Sequence, residues 1–241
     1  MKKYFLSALL FTLVACSRQY TTTSIQYEQR LVGKGAATDS ILYRAISPYR
    51  DSVNRSMNTV LGWLTQPLEK RQPDGSLNRF MADAVLYGAR KTFGVPVHAA
   101  FVNYGGVRLN ELPAGDITKG KIFELMPFDN VLVLQTIRGD TLQQFLNTIA
   151  VRNGWPVAGI NFSIVGGKAV HVLVDGTPLQ AQTRYTIAQS DFIANGGDDI
   201  TLFLKLPQQN KGYLLRDALF DYVASFTSKT ITVDTQNRIT Q

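Results

Sequence analysis

The chain has 241 residues, and 45% of them are hydrophobic, which excludes an intrinsically disordered chain. Its formal net charge is +7, and such a surplus favours anionic partners. There is no run of Lys and Arg and no nucleic-acid-binding motif, which argues against DNA or RNA as the partner. The sequence holds one cysteine, so an intrachain disulfide is excluded.

The first sixteen residues predict an export signal. Lys2 and Lys3 precede an apolar run over 4–15 that ends at Cys16, and this run is too short to span a membrane. The letters LVAC resemble a bacterial lipobox, which implies that Cys16 is the lipidated first residue of the mature protein. No Asp follows Cys16, so we expect a lipid anchor in the bacterial outer membrane. The alternative is an ordinary signal peptide with an incidental cysteine.

Polar residues over 17–38 predict a tether, within which 24–32 alternates and predicts an early strand. The sequence predicts that the remaining segment, 39–241, forms the folded domain. About 225 residues follow the signal, a length that suits one domain or two small ones.

Helical periodicity and strand patterns interleave along the domain. In chain order the sequence predicts a helix over 39–57, a strand over 59–68, a loop over 69–75, a helix from Ser76 to Gly94, a strand over 95–103, a short helix over 119–125, a strand over 131–137, a helix from Gly139, a hairpin around Gly166 and Gly167, a strand over 185–190, a helix over 214–226 and a strand in the tail. Ser76 is predicted as an N-cap, Gly94 as a helix stop, and Pro48 as a kink or restart. The fold class is therefore α/β (α+β), a mixed sheet flanked by helices.

No reaction centre can be assigned from the residue types and their spacing. His98 and His171 lie in apolar strand patterns, and no HxH, DxH or HExxH spacing occurs, so a zinc or two-metal site has too few ligands. Asp198 and Asp199 lack the further carboxylates that a hard cation requires. There is no GxSxG motif for a serine nucleophile, and no carboxylate pair stands out for glycoside hydrolysis. We therefore assign no catalytic residue and no metal ligand.

Two loops carry groups suited to binding. FVNYGGVR (101–108) and FIANGGDD (192–199) each place an Asn and two glycines directly after a predicted strand, the usual ligand position in α/β sheets. Glycine amides can face an anion, and Arg108 can hold phosphate or carboxylate bidentately. Phe192 can lie against a planar base, and Asp198 can accept hydrogen bonds from sugar hydroxyls. Taken alone, either loop is better explained as a tight turn.

Four segments, taken together, resemble the C-terminal domain of the 5'-nucleotidase and UDP-sugar hydrolase family: SLNRFMADA, FVNYGGVR, LPAGDITKGKIFELMPFDNVLVL and FIANGGDD. The resemblance covers roughly 40–230 and implies a nucleotide or nucleoside site. Asn103 and Arg108 match the family's Asn-x-Gly-Gly-x-Arg loop, and Phe192 matches one of two aromatic residues that sandwich the base. Asp198 matches an aspartate that binds ribose hydroxyls, and Arg79 matches a position near the phosphates in some members.

The sequence departs from the family at three positions. Trp155 is the nearest candidate for the second sandwiching aromatic residue, Tyr104 replaces a usual glycine, and Asp199 replaces a common glycine. The candidate substrate-binding residues are thus Arg79, Asn103, Gly105, Gly106, Arg108, Trp155, Phe192, Asn195, Gly196, Gly197 and Asp198.

The resemblance also implies a partner. In the family a separate N-terminal metallophosphatase domain supplies two divalent metal ions, and nothing before residue 40 offers their ligands. We therefore predict a recognition half of a split 5'-nucleotidase that works with a separately encoded metallophosphatase. The alternatives are a surface lipoprotein that binds a ligand without hydrolysing it, and an autonomous hydrolase with an unrecognised site.

Overall fold

The computed structural model describes residues 24, 26–29 and 39–241. Two compact units are distinguished, 1–45 and 46–241, and the sheets described below belong to the second. The predicted signal, its Cys16 and most of the tether lie outside the described residues. Of the predicted strand over 24–32, residues 24 and 26–29 are described and are in no strand, and residues 25 and 30–32 lie outside the described residues. No helix of the described residues combines the length and apolar character needed to cross a membrane.

Helices and strands alternate along the chain from residue 40 to residue 240. The helices are α1 (Ser40–Met57), α2 (Ser76–Phe93), α3 (Lys119–Leu125), α4 (Gly139–Val151), α5 (Asp191–Ala194) and α6 (Leu215–Ala224). The strands are β1 (Val60–Leu64), β2 (Leu68–Glu69), β3 (Ala99–Phe101), β4 (Glu111–Leu112), β5 (Gly115–Thr118), β6 (Val131–Arg138), β7 (Val157–Ala158), β8 (Ile160–Val165), β9 (Lys168–Val174), β10 (Thr177–Pro178), β11 (Arg184–Ser190), β12 (Gln209–Leu214), β13 (Thr230–Ile231) and β14 (Ile239–Thr240).

The largest sheet has five strands in the order β12-β6-β11-β3-β7. Strand β11 is parallel to β3 and antiparallel to β6, so the sheet is mixed, as predicted. Smaller sheets have the orders β13-β1-β5, β10-β9-β8-β14 and β2-β4. Helices flank the central sheet, which confirms the predicted fold class.

The central sheet separates two hydrophobic clusters. Along β3, Ala100 belongs to one cluster, while Ala99 and Phe101 belong to the other, because successive side chains of a strand point to opposite faces. The first cluster contains the apolar faces of α2 and α6. The second contains that of α4 and the inner face of the β8–β9 hairpin. The middle of the sheet is therefore covered on both faces.

Several predicted helix and strand ends are confirmed and others are wrong. Gly94 closes α2 with φ 67° and its N–H donates to the Arg90 carbonyl, and Gly166 and Gly167 turn the predicted hairpin with positive φ. Ser76 is not the N-cap: Gly75 holds that position, and the Ser76 hydroxyl accepts from the Glu69 N–H at 2.9 Å.

Helix α1 runs through Pro48 without a break, so the predicted restart is wrong. Proline removes one backbone donor from a helix interior. None of the helix's residues is buried, so water can reach the carbonyl that loses its partner. The helix begins after Asp39, whose carboxylate accepts from the N–H groups of Ile41 and Leu42 at 2.8 and 3.1 Å, as an N-cap does.

The predicted strands over 59–68 and 95–103 are shorter in the structure. The first is divided into β1 and β2, separated by residues 65–67, which include Pro67. The second is reduced to β3, which starts at Ala99. Proline lacks the N–H that a central strand requires, which accounts for the loss of the segment around Pro96.

A buried ion pair links helix α2 to the tail of the chain. The guanidinium of Arg79 lies 3.1 Å from the Asp74 carboxylate, and both side chains are almost fully buried. Arg79 Nε also donates to the Asp234 carbonyl at 2.8 Å, and Nη1 donates to the Asn237 Oδ1 at 3.1 Å. One arginine therefore joins a loop, a helix and the tail.

A second arginine repeats this link from the tail side. The side chain of Arg238 lies 2.8 and 2.9 Å from the two carboxylate oxygens of Asp83, and its N–H donates to Asp74 at 2.6 Å. It also donates to the Val157 carbonyl at 2.8 Å. Bidentate arginine–carboxylate contacts of this kind fix geometry as well as charge, so the tail is held against α2.

Candidate functional site

The two loops predicted to bind a ligand meet in the structure. Strands β3 and β11 are parallel neighbours, so their carboxyl ends lie at the same edge of the central sheet. Asn103 follows β3 and Asp198 follows β11, and the Asn103 Nδ2 donates to the Asp198 Oδ2 at 2.8 Å. This hydrogen bond joins two residues that are 95 positions apart in the chain.

A cavity of about 280 Å³ opens at this edge. Its lining comprises Asn103, Gly105, Gly106, Arg108, Phe128, Asn130, Phe192 and Asp198. Six of these were predicted as site residues from the sequence, and the remaining two come from the segment that precedes β6. We call this space the loop cavity.

The first loop is a 3-10 turn, Tyr104–Gly106, that leads to Arg108. A side chain at Gly106 would bring its Cβ within 2.6 Å of the Asn103 Oδ1, so the turn needs glycine to approach the amide closely. Arg108 Nη1 donates to the Gly105 carbonyl at 3.2 Å. The guanidinium is exposed at the cavity wall and is placed to meet an anion there.

Tyr104 does not line the loop cavity. Its ring is partly buried and packs against the second hydrophobic cluster. The Lys70 ammonium lies 4.0 Å from the centre of that ring and donates to the Val107 carbonyl at 2.8 Å. Burial and, to a smaller extent, the neighbouring Arg108 lower the pKa of Lys70. Lys70 and Tyr104 thus stabilise the first loop from outside the loop cavity.

The second loop places Phe192 in the cavity wall. The Ser190 hydroxyl caps α5 by accepting from the Ile193 N–H at 3.2 Å. A Cβ at Gly197 would lie 2.4 Å from the Phe192 ring, so this glycine allows the backbone to pass directly beside the ring. Phe192 is 44% exposed and presents apolar surface to a ligand.

Asn195, Gly196 and Gly197 do not line the loop cavity. The Asn195 Oδ1 accepts from the Gln208 Nε2 at 2.9 Å, and Gly196 has φ 94°. These residues shape the turn that carries Phe192 and Asp198, although they were predicted as substrate-binding residues.

Asp198 and Asp199 have positive φ values of 52° and 57°, in the left-handed region that favours glycine. Aspartate tolerates the conformation better than most residues. The Arg152 guanidinium donates to the Asp198 carbonyl at 2.6 Å and so holds the strained pair in place.

Trp155 was predicted as the second base-stacking aromatic residue, and the structure places it elsewhere. It is 3% exposed and belongs to the second hydrophobic cluster. Its ring makes an edge contact with Phe145 at 6.0 Å between centroids, and the Arg152 guanidinium lies 5.6 Å from its centre. Trp155 therefore supports Arg152 from the core, whereas the loop cavity is lined by other residues.

The aromatic residue that faces the cavity with Phe192 is Phe128. It is 39% exposed and lines the loop cavity together with Asn130. Strand β6 is antiparallel to β11, with Leu132 opposite Ser190, so the start of β6 lies at the edge where β11 ends. The available signal was an aromatic residue after Pro127, directly before a continuous apolar strand, in the segment MPFDN.

Arg79 was predicted near the phosphates of a ligand, but it does not line the loop cavity. It lines a separate cavity of about 260 Å³ next to Asp234 and is engaged with Asp74 as described above. Its position within the buried ion pair gives it a structural role in the tail contact.

A scan against protein families matches residues 58–205 to the model described as "5'-nucleotidase, C-terminal domain". The chain belongs to this family. The match covers the loop cavity, including both loops and the segment that carries Phe128.

Curated relatives of this 5'-nucleotidase C-terminal domain are larger proteins. The chain is 26% identical over 199 residues to "5'-nucleotidase" of Vibrio cholerae, which covers 77% of this chain and 34% of that protein. It is 28% identical over 214 residues to "Protein UshA" of Yersinia enterocolitica, which covers 84% of this chain and 37% of that protein. The chain therefore spans about a third of the length of these relatives.

Solved structures share the same fold. The 5'-nucleotidase precursor of Thermus thermophilus matches with a TM-score of 0.71 and 25% identity, over 83% of this chain and 43% of that one. The NAD nucleotidase of Haemophilus influenzae matches with a TM-score of 0.65 and 19% identity, over 83% and 41%. The second likeness supports the fold alone.

Proposed function

We propose that this domain binds a nucleotide or nucleoside in the loop cavity, as the recognition half of a split 5'-nucleotidase. The observation that carries the proposal is the meeting of two exposed phenylalanines, Arg108 and the Asn103–Asp198 pair around one cavity. These groups match the three chemical parts of a nucleotide: a planar base, a sugar and an anion.

The base is assigned to Phe128 and Phe192. Both rings line the loop cavity and both are partly exposed, so a planar ligand can cover apolar surface that now faces water. Stacking on aromatic side chains contributes about 1–3 kcal/mol per base. Because every base has an aromatic face, this contact favours a base over other ligands without selecting one base.

The sugar and the anion are assigned to the two loops. Asp198 Oδ2 already accepts from Asn103, and an ionised carboxylate has further lone pairs that can accept from sugar hydroxyls. The exposed Arg108 guanidinium can hold a phosphate bidentately. At about 280 Å³ the cavity lies at the lower end of the usual range for small-molecule sites, roughly 300–1,000 Å³, which suits a single nucleotide.

Hydrolysis is assigned to a separate metallophosphatase that carries two divalent metal ions. Within residues 24, 26–29 and 39–241, no group of three His, Cys, Asp or Glu side chains is arranged to hold a metal ion. One of the two histidines, His98, uses its Nδ1 to accept from the Thr186 N–H at 3.0 Å. We derive no metal-dependent step on this chain.

Calorimetry with AMP, adenosine, UDP-glucose and ribose 5-phosphate tests the binding proposal. We expect AMP to bind more tightly than ribose 5-phosphate, because only AMP presents a base to the two phenylalanines. Arg108→Ala should weaken the binding of AMP more than the binding of adenosine, since adenosine lacks the phosphate. Failure of every nucleotide and nucleoside to bind the wild-type chain would reject the proposal.

Mixing the domain with a candidate metallophosphatase separates the split enzyme from a surface protein that only binds its ligand. The split arrangement expects phosphate release from AMP to rise when both proteins are present. Unchanged release, together with AMP binding, would favour the binding lipoprotein. Release by the pure domain alone, abolished in Arg108→Ala, would favour the autonomous hydrolase.

We also propose that Cys16 is lipidated and that the tether over 17–38 holds the domain at the bacterial cell envelope, on the outer membrane. The support is the sequence LVAC after a charged and apolar signal. We expect labelled fatty acid to be incorporated into the wild-type protein and not into Cys16→Ser. Equal labelling of the two proteins, or none of either, would contradict the anchor.

A further inference from the structure

Arg216, on helix α6, contacts the segment that carries Phe128. It is the second residue of α6 and is 8% exposed. Its Nη1 donates to the Phe128 carbonyl at 3.2 Å and lies 3.5 Å from the Met126 carbonyl, and its Nη2 donates to the Asp129 carboxylate at 2.6 Å. A single side chain therefore reaches three residues of the segment 126–130.

The segment 126–130 lies between α3 and β6 and has no helix or strand of its own. At its far end the Asn130 carbonyl accepts from the Leu215 N–H at 3.0 Å, so the start of α6 contacts both the backbone and the side chains of the segment. Phe128 and Asn130 in turn line the loop cavity. The position of one cavity wall thus depends on the start of α6.

The guanidinium is well suited to this contact. Its centre lies 4.4 Å from the centre of the Phe123 ring, so the plane that donates to the segment also rests on an aromatic face. Arginine donates in several directions within one rigid plane, whereas a lysine ammonium is a point charge on a flexible stem. Lysine at this position would keep the charge and lose part of the geometry.

We propose that Arg216 is a positioning residue for ligand binding: it holds segment 126–130 so that Phe128 faces the base across from Phe192. This inference rests on the proposed function, because it requires a base in the loop cavity. Arg216 itself does not line the cavity, so its effect on a ligand must pass through the segment.

The test compares Arg216→Gln and Arg216→Lys with the wild-type chain in two measurements. Hydrogen–deuterium exchange without ligand reports on the peptide that contains 126–130. Calorimetry reports on AMP and on ribose 5-phosphate. Arg138→Gln is the matched control, because Arg138 also pairs with a nearby carboxylate, that of Asp140 at 2.8 Å, but lies at the opposite end of β6.

We expect faster exchange over 126–130 in Arg216→Gln and an AMP affinity reduced about tenfold, within the range of a lost stacking contact. Ribose 5-phosphate should bind as it does to the wild type. Arg216→Lys should show exchange and AMP affinity between those of Arg216→Gln and the wild type. Arg138→Gln should match the wild type in both measurements. The double variant Arg216→Gln/Phe128→Ala should bind AMP as weakly as Phe128→Ala alone, since both changes remove the same contact.

Other outcomes overturn the proposal in distinguishable ways. Unchanged exchange, unchanged AMP affinity, or fully additive effects of Phe128→Ala and Arg216→Gln would reject the positioning role while leaving nucleotide binding intact. Failure of AMP and of every other nucleotide and nucleoside to bind the wild type would reject the proposed function and this role together. If neither Arg216 variant folds, Arg216 serves the fold as a whole and the positioning role is rejected.

Discussion

Replacing Arg79 with methionine is expected to lower the free energy of unfolding by about 3–5 kcal/mol, the usual cost of removing one partner of a buried ion pair. The change leaves the Asp74 carboxylate almost fully buried and opposite an apolar side chain. It also removes the hydrogen bonds to Asp234 and Asn237. Urea unfolding followed by circular dichroism measures the difference.

Arg71→Met is the matched control, because Arg71 pairs with Glu69 at the protein surface. Exposed pairs contribute about 0–1 kcal/mol, so this variant should be nearly as stable as the wild type. The same two variants decide the role that family resemblance implies for Arg79. Wild-type stability of Arg79→Met with weakened AMP binding would show that Arg79 contacts the ligand instead of supporting the tail.

Replacing Phe192 with alanine is expected to weaken AMP binding by about 1–3 kcal/mol, or roughly 5- to 150-fold in Kd. The ring lines the loop cavity and is partly exposed, so its loss removes one face of the base contact without opening the core. The affinity for ribose 5-phosphate should stay the same, because that ligand has no base. Calorimetry with both ligands measures the change.

Leu204→Ala controls for the loss of an exposed apolar side chain near the same loop. Leu204 is 51% exposed and lies beside Gly196, but it does not line the loop cavity. The Leu204→Ala variant should therefore bind AMP as the wild type does. Equal losses in Phe192→Ala and Leu204→Ala, or an equal loss of ribose 5-phosphate affinity in Phe192→Ala, would argue against stacking.

Much of the loop cavity could be predicted from local sequence. Asn103, Arg108, Phe192 and Asp198 follow strands with clear apolar patterns, and the glycines beside them mark sharp turns. The chemistry of each loop is contained in eight residues. Local sequence could not show that the loops meet, because this depends on the parallel pairing of β3 with β11.

The role of Phe128 was harder to predict from the sequence than that of the two loops. A search for ligand groups at the carboxyl ends of strands does not examine the residues before a strand. Phe128 reaches the cavity because β6 runs antiparallel to β11, and the direction of a strand cannot be read from its hydrophobic pattern. The family resemblance covered the segment MPFDN without assigning this phenylalanine a role.

Trp155 and Arg79 lie outside the loop cavity for a different reason. A large aromatic residue and an arginine are suitable ligand contacts only where they are exposed, and burial here is decided by distant residues. Trp155 packs in the second hydrophobic cluster, and Arg79 contacts Asn237, which is 158 positions away. Neither environment leaves a signal in the neighbouring sequence.

The contacts of the tail also determine when the domain can finish folding. Arg238 pairs with Asp83 across 155 positions, and strand β14 lies beside β8. A chain that lacks residue 238 has α2 without the cation that pairs with Asp83. The fold is therefore completed only when residues 238–240 are free to join α2 and β8, and a chain truncated before Arg238 should be less stable and more prone to aggregation.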